Sequence, residues 1–166
     1  DWNGRWTVKG GQLAPRPFTP GGPKLWGGGG VPDALKRAGR YFDGWFPSGA
    51  GTPQEWGEKW AAIRQHARDA GRDPAAITGA VYTTVAVNDD PVAANAELDA
   101  YLEGYYMQPA ALIRQQQYAF AGDLAAVTDW LGQFVANGCT HLSTRFTGTD
   151  DRGQMETLVR MRERLS

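Results

Sequence analysis

The 166-residue chain carries 17 basic and 18 acidic side chains, a net charge of −1, so it has no electrostatic excess with which to hold nucleic acid or an anionic membrane. Its one cysteine, Cys139, excludes a disulfide framework, and with only His66 and His141 beside it a zinc or non-haem iron centre lacks ligands; a reducing cytoplasm and no metal are expected. No apolar run approaches the ~20 residues of a membrane span, and the chain opens at Asp1 with neither a leader nor an initiator Met, which leads us to expect a piece of a longer protein.

Residues 1–23 hold prolines and glycines without helical period and read as an extended lead-in arm. The rest, 24–166, alternates strand and helix. Lys24-Leu25-Trp26 is a short strand, ending in the run Gly27-Gly28-Gly29-Gly30, and Pro32 and Asp33 open a helix with Leu35, Ala38 and Phe42 on one face. Gly44-Trp45-Phe46 is the next strand, closed by Pro47-Ser48-Gly49. Thr52 and Glu55 then form a capping box around Pro53. Trp56, Trp60, Ile63 and Ala67 give that helix its apolar stripe, and Gly71 stands where a left-handed residue ends it.

Ile77 to Val87 is nearly continuous in β-branched and small residues, as in a strand buried on both faces. Asn88-Asp89-Asp90-Pro91 caps a helix running to about Tyr106, and an extra helical insertion is expected around 98–122. A helix follows from Asp123 to Gly138, then a strand from His141 to Phe146 and a last helix from Gln154 to Leu165. Four strand–helix units specify a parallel α/β sheet covered by helices. They are half of a (β/α)8 barrel, whose whole takes about 250 residues, or else a small doubly wound domain.

The glycine run is the first candidate site. Four residues without Cβ atoms, entering a helix at Pro32, leave backbone N–H groups at the positive end of the helix dipole, where a phosphate can be cradled. A plain tight turn is the competing reading. Ser48 follows a strand at the same end and reads as a substrate contact or a loop serine. Arg145, near the end of the last strand, suits bidentate binding of an anion, against a rim salt bridge. His141 begins its strand, away from that end. Cys139 reads as a buried filler and Trp56 and Trp60 as core. No Ser-His-Asp set, carboxylate pair or activated nucleophile can be assembled, so catalytic residues are not assigned.

Several blocks, in this order, are similar to one family. Pro15-Arg16-Pro17, Pro23-Lys24-Leu25-Trp26 with its glycines, Ala34-Leu35-Lys36-Arg37-Ala38, Asp43-Gly44-Trp45-Phe46-Pro47, Ile63-Arg64 through Ala70-Gly71-Arg72-Asp73-Pro74, and Ala136-Asn137-Gly138-Cys139-Thr140-His141-Leu142 resemble the C-terminal half of the luciferase-like monooxygenases. The resemblance implies the fifth to eighth units of a (β/α)8 barrel. It implies an oxidoreductase acting on a small organic substrate, with reduced FMN and O2 or with the deazaflavin coenzyme F-420. It places the cofactor phosphate near Gly27 to Gly30 and the ring contacts in an N-terminal half, the missing partner of this chain, without which this chain alone is expected to be inactive; it also suggests a homodimer. Gly27 stands where the family commonly has an aliphatic residue, which implies a looser strand end. A non-catalytic flavin-binding module of the same barrel, and a doubly wound domain binding a phosphorylated metabolite, stay open as alternatives.

Overall fold

The computed structural model describes residues 1–12, 14–49 and 51–165; Leu13 of the lead-in arm and Ser166 at the end of the 24–166 segment lie outside the described residues. In the arm, β1 (Trp2–Asn3) and β2 (Thr7–Val8) pair antiparallel as a short hairpin. The main sheet follows: β3 (Trp26–Gly27), β4 (Gly44–Trp45), β5 (Thr78–Val87), β6 (Tyr118–Gly122) and β7 (His141–Phe146), every pairing parallel. Strands β3, β4, β5 and β7 are neighbours in chain order. A barrel wall has that order, whereas a doubly wound sheet reverses partway, so the half-barrel reading holds and the doubly wound one does not.

β5 carries three partners because it is long. The N–H groups of Thr78, Tyr82 and Asn88 donate to the carbonyls of Asp43, Pro47 and Gly122, while the carbonyls of Gly79 and Val85 accept from the N–H groups of Thr140 and Thr147. Successive strand residues turn their polar groups to opposite edges. Even-numbered positions of β5 therefore face β4 and then β6, end to end along one edge, and odd-numbered positions face β7.

The helices are α1 (Pro32–Tyr41), α2 (Pro53–Asp69), α3 (Pro91–Tyr106), α4 (Ala110–Arg114), α5 (Leu124–Ala136) and α6 (Asp151–Leu165). The capping box of α2 is present in both directions: the Glu55 N–H donates to Thr52 Oγ1 at 3.1 Å, and the Thr52 N–H donates to the Glu55 carboxylate at 2.7 Å. Asp90 and Asp123 cap α3 and α5 in one direction only, their carboxylates accepting the N–H groups of Val92 and Ala126. α1 and α2 cross at Gly39, where a Cβ would run into the Ile63 carbonyl and stand 2.8 Å from His66 Cβ.

The stretch around 98–122, read from sequence as a helical insertion, is helical through Tyr106 and again in α4, and then becomes β6. Ala119, Ala121 and Gly122 give no β-branched signal; pairing with Thr83 to Val87 of β5 decides the conformation instead. The first strand also begins two residues later than Lys24 and ends one later than Trp26, and the last helix begins three residues before Gln154.

The outer face of the sheet packs on helices. Trp45, Trp56, Trp60, Ile63, Val81 and Phe134 form its main cluster, extended by Val85, Val127, Leu131 and Met161. Gly79 leaves room for the tryptophans, with Trp60 only 3.1 Å from where its Cβ would be. On the inner face, α3 and α4 cover only the upper end, over Ala86. The remainder is open and carries the candidate site.

Candidate functional site

Side chains alternate along each strand, so the inner face carries Trp26, Phe46, Tyr82, His141, Ser143 and Arg145. The aromatics touch in a chain: Trp26 with Phe46 at 6.2 Å between centroids, Phe46 with Tyr82 at 6.4 Å. Trp26 and Phe46 remain 40% and 39% exposed, which a buried core would not tolerate for side chains of this size. This is a concave aromatic floor of the kind that holds a flat ligand.

The glycine loop leaves the end of β3 at the rim of this floor. Its four glycines have different reasons for being glycine. Gly27 is buried, and a Cβ there would collide with the Phe42 ring, so the strand end is filled rather than loosened. Gly29 has φ of 85°, and its carbonyl accepts the Trp45 indole N–H at 2.8 Å, tying the loop to the tryptophan cluster. Gly28 and Gly30 have space around them; the Lys59 ammonium would stand 3.6 Å from a Cβ at Gly30. Among the described residues, none of the N–H groups of Gly28, Gly29, Gly30 or Val31 donates a hydrogen bond to another backbone group. Four consecutive orphan donors beside a lysine are a fit for a phosphate. Asp33, in the first turn of α1, acts against it.

Arg145 lies opposite Thr84 in the β5–β7 register, on the inner face. Its guanidinium carbon is 4.3 Å from the Tyr105 ring centroid and 5.3 Å from that of Tyr82, so it is held between an α3 tyrosine and a β5 tyrosine. Its Nη2 reaches the Tyr105 hydroxyl at 3.5 Å. The rim salt bridge weighed against a binding role is not there: no carboxylate among the described residues pairs with Arg145. Burial works against its charge, but the Tyr105 hydroxyl and the surrounding tyrosines outweigh that and keep it firmly cationic. Burial likewise pushes the Tyr82 hydroxyl above its ordinary range, with Arg145 opposing. Three atoms here are buried without a well-aligned hydrogen bond, Arg145 Nη1, Tyr82 Oη and Thr84 Oγ1, the two hydroxyls lying near each other.

The parallel strands bring Gly28 to Gly30, Ser48 and Arg145 to one end of the sheet. Ser48 is exposed, just past Pro47, whose carbonyl accepts the Tyr82 N–H at 3.4 Å. His141 is at the other end, its Nδ1 3.0 Å from Thr140 Oγ1. Cys139 is buried, 3% exposed. Tyr82, Thr84 and Tyr105 were not anticipated. Their signal was the even spacing of Tyr82 and Thr84 within a strand otherwise read as apolar on both sides.

Solved proteins that share this architecture include longer chains. The chain matches the F420-dependent secondary alcohol dehydrogenase, solved with an F420-acetone adduct, at TM-score 0.78 and 18% identity, over 99% of this chain and 55% of that one. It matches long-chain alkane monooxygenase (LadA) at TM-score 0.69 and 14% identity, over 98% of this chain and 46% of that one. Among curated proteins, the phthiodiolone/phenolphthiodiolone dimycocerosates ketoreductase of Mycobacterium sp. (strain JLS) is 44% identical over 59 residues, 36% of this chain and 16% of the relative. This chain therefore spans about half the length of these solved relatives, and its alignment with the curated one is shorter still. The family model for luciferase-like monooxygenases matches residues 1–151, so the chain belongs to the luciferase-like monooxygenase family.

Proposed function

We propose that this chain is the C-terminal half of the barrel of an oxidoreductase that interconverts a ketone and a secondary alcohol with a deazaflavin coenzyme. The observation that carries this reading is the inner face itself: an open floor of Trp26, Phe46 and Tyr82 with orphan N–H groups at Gly28 to Gly30. Such a face binds and orients a cofactor that carries the chemistry itself. A deazaflavin supplies hydride transfer when bound. In this reading the glycine loop and Lys59 hold the phosphate, the aromatic floor excludes water beneath the substrate, and Ser48 and Arg145 contact the substrate from the rim. The choice of ketone and alcohol is supported by the curated relatives, which are named as ketoreductases. The second reading is an FMN-dependent monooxygenase, because the same floor and loop suit FMN equally well. A homodimer is expected in either case.

The test is a fluorescence titration of the full-length protein with FMN and with the deazaflavin, followed by the coenzyme's absorbance on adding secondary alcohols. Tight deazaflavin binding and bleaching by a secondary alcohol are expected. FMN binding with O2 consumption would favour the second reading. Binding of neither would overturn both.

A further inference from the structure

Arg145 Nη1, Tyr82 Oη and Thr84 Oγ1 come from positions that adjoin one another on the inner face. Thr84 and Arg145 are direct register partners on adjacent parallel strands, and Tyr82 precedes Thr84 by two residues on the same side of β5. All three atoms are sealed from solvent and none has a well-aligned hydrogen-bond partner, the Tyr82 and Thr84 hydroxyls lying close enough to interact with each other, while Arg145 Nη1 has none. Leaving one buried polar group unsatisfied costs about 1–3 kcal/mol, and a buried guanidinium nitrogen with no partner beside two poorly bonded hydroxyls is unusual in a native structure. The charge makes the case sharper, since an arginine without a carboxylate partner is a positive charge still lacking its counter-ion. Nη1 and the two hydroxyls can all donate to the same acceptor.

From this arrangement we infer that Arg145, Tyr82 and Thr84 form an oxyanion-binding subsite, taking a carboxylate or phosphate group of a bound small molecule. Tyr105 closes it from above, stacked on the guanidinium with its hydroxyl on Nη2, which leaves Nη1 as the free donor. The subsite is built on β5, β7 and α3, whereas the glycine loop follows β3, so the two draw on different elements of the same face. It rests on the proposed function only in sharing that face: it adds that the molecule bound there is anionic.

Two sources of the anion are available, a substrate carboxylate and an acidic group of the cofactor. The experiment is calorimetric titration of the full-length protein with acetate, inorganic phosphate and the neutral isostere acetamide, repeated on Arg145→Gln and Tyr82→Phe. Acetate or phosphate should bind the native protein, at least tenfold more weakly after Arg145→Gln and about threefold after Tyr82→Phe, with acetamide not binding. Tyr82→Phe keeps the ring under Arg145, so its loss of affinity reads the hydroxyl and not a failure to fold. Repeating the titration with cofactor bound separates the sources. Unchanged anion binding assigns the subsite to substrate, and competitive loss assigns it to the cofactor. Anion binding that ignores both substitutions, acetamide binding as well as acetate, or no binding of any anion would overturn the inference. A protein that binds these anions but no flavin or deazaflavin would keep the subsite while sinking the oxidoreductase reading.

Discussion

Trp26 and His141 belong to the two outermost strands of the row β3-β4-β5-β7, yet their rings meet edge to face with centroids 5.6 Å apart. In a flat sheet, strands three places apart are separated by about 14 Å. The contact therefore records how strongly the wall is curved. It also closes the lower end of the concave face, so that the open aromatic floor begins above it, toward Ser48 and Arg145.

The helix crossing at Gly39 gives the sharpest stability test. A Cβ there meets backbone atoms of α2, the Ile63 carbonyl and the Ala67 nitrogen, which cannot swing aside. Gly39→Ala should cost about 2 kcal/mol. Gly104, on the exposed side of α3 with nothing near its missing Cβ, is the matching control. Gly104→Ala should stabilise by roughly 0.5–1 kcal/mol through helix propensity. Urea denaturation of both variants checks the pair, and equal midpoints would mean that the α1–α2 contact is looser than described.

The glycine loop separates packing from binding. Gly28→Glu places a carboxylate among the orphan N–H groups, in space that a Cβ can occupy, 3.5 Å from the Phe46 carbonyl. Cofactor affinity should fall at least tenfold, ~1.4 kcal/mol, with melting unchanged. Gly27→Ala should do the reverse, lowering the melting temperature through Phe42 while leaving the loop's donors in place. If Gly28→Glu binds as the native protein does, the phosphate lies elsewhere.

Alkaline pH should destabilise the fold in a defined window. Burial pushes the Cys139 thiol up to about 11 from 9.0 and the Tyr118 hydroxyl up to about 12 from 10.0. Each folded-state value exceeds its unfolded one, so the native state holds its proton more tightly. The stability this contributes is complete below pH 9 and is lost as pH rises from about 9 to 12. Melting temperatures at pH 7 to 9 should be level and then decline, and Cys139→Ala should remove the earlier part of the decline. A thiol reagent at pH 8 should label Cys139 only after unfolding; rapid labelling of the native protein would contradict its burial.

Residues 1–166 on their own should bind a hydrophobic dye or self-associate. The half-exposed Trp26 and Phe46 face no covering layer, and β3 and β7 each have an edge with no strand partner among the described residues. Supplying the N-terminal half of the barrel in trans should quench the dye. Sedimentation of a monodisperse, dye-free monomer would show that the curved sheet needs no partner.

Local signals carried most of the architecture. The Thr52–Glu55 box, the Trp56 and Trp60 stripe and the β-branched run ending at Val87 are short-range rules, and the helix and strand stand where those rules put them. β6 was illegible because Ala119, Ala121 and Gly122 become a strand only through β5, more than thirty residues away. The glycine run was visible, but four glycines look alike in a sequence; only the Phe42 ring and the Trp45 indole distinguish Gly27 and Gly29 from their neighbours. Arg145 was legible by its place at a strand end. Its tyrosine enclosure was not, since Tyr82 and Tyr105 reach it from separate elements.

The division of β5 between two edges has a kinetic consequence. Amide protons of Thr84 and Ala86 are shielded by β6, and those of Thr83 and Val85, one position away, by β7. If β6 detaches with α4 while β7 stays docked, even-numbered amides should exchange with deuterium faster than their odd-numbered neighbours. A zigzag of exchange rates along a single strand would then report two separate opening events, each with its own free energy, from one short stretch of backbone.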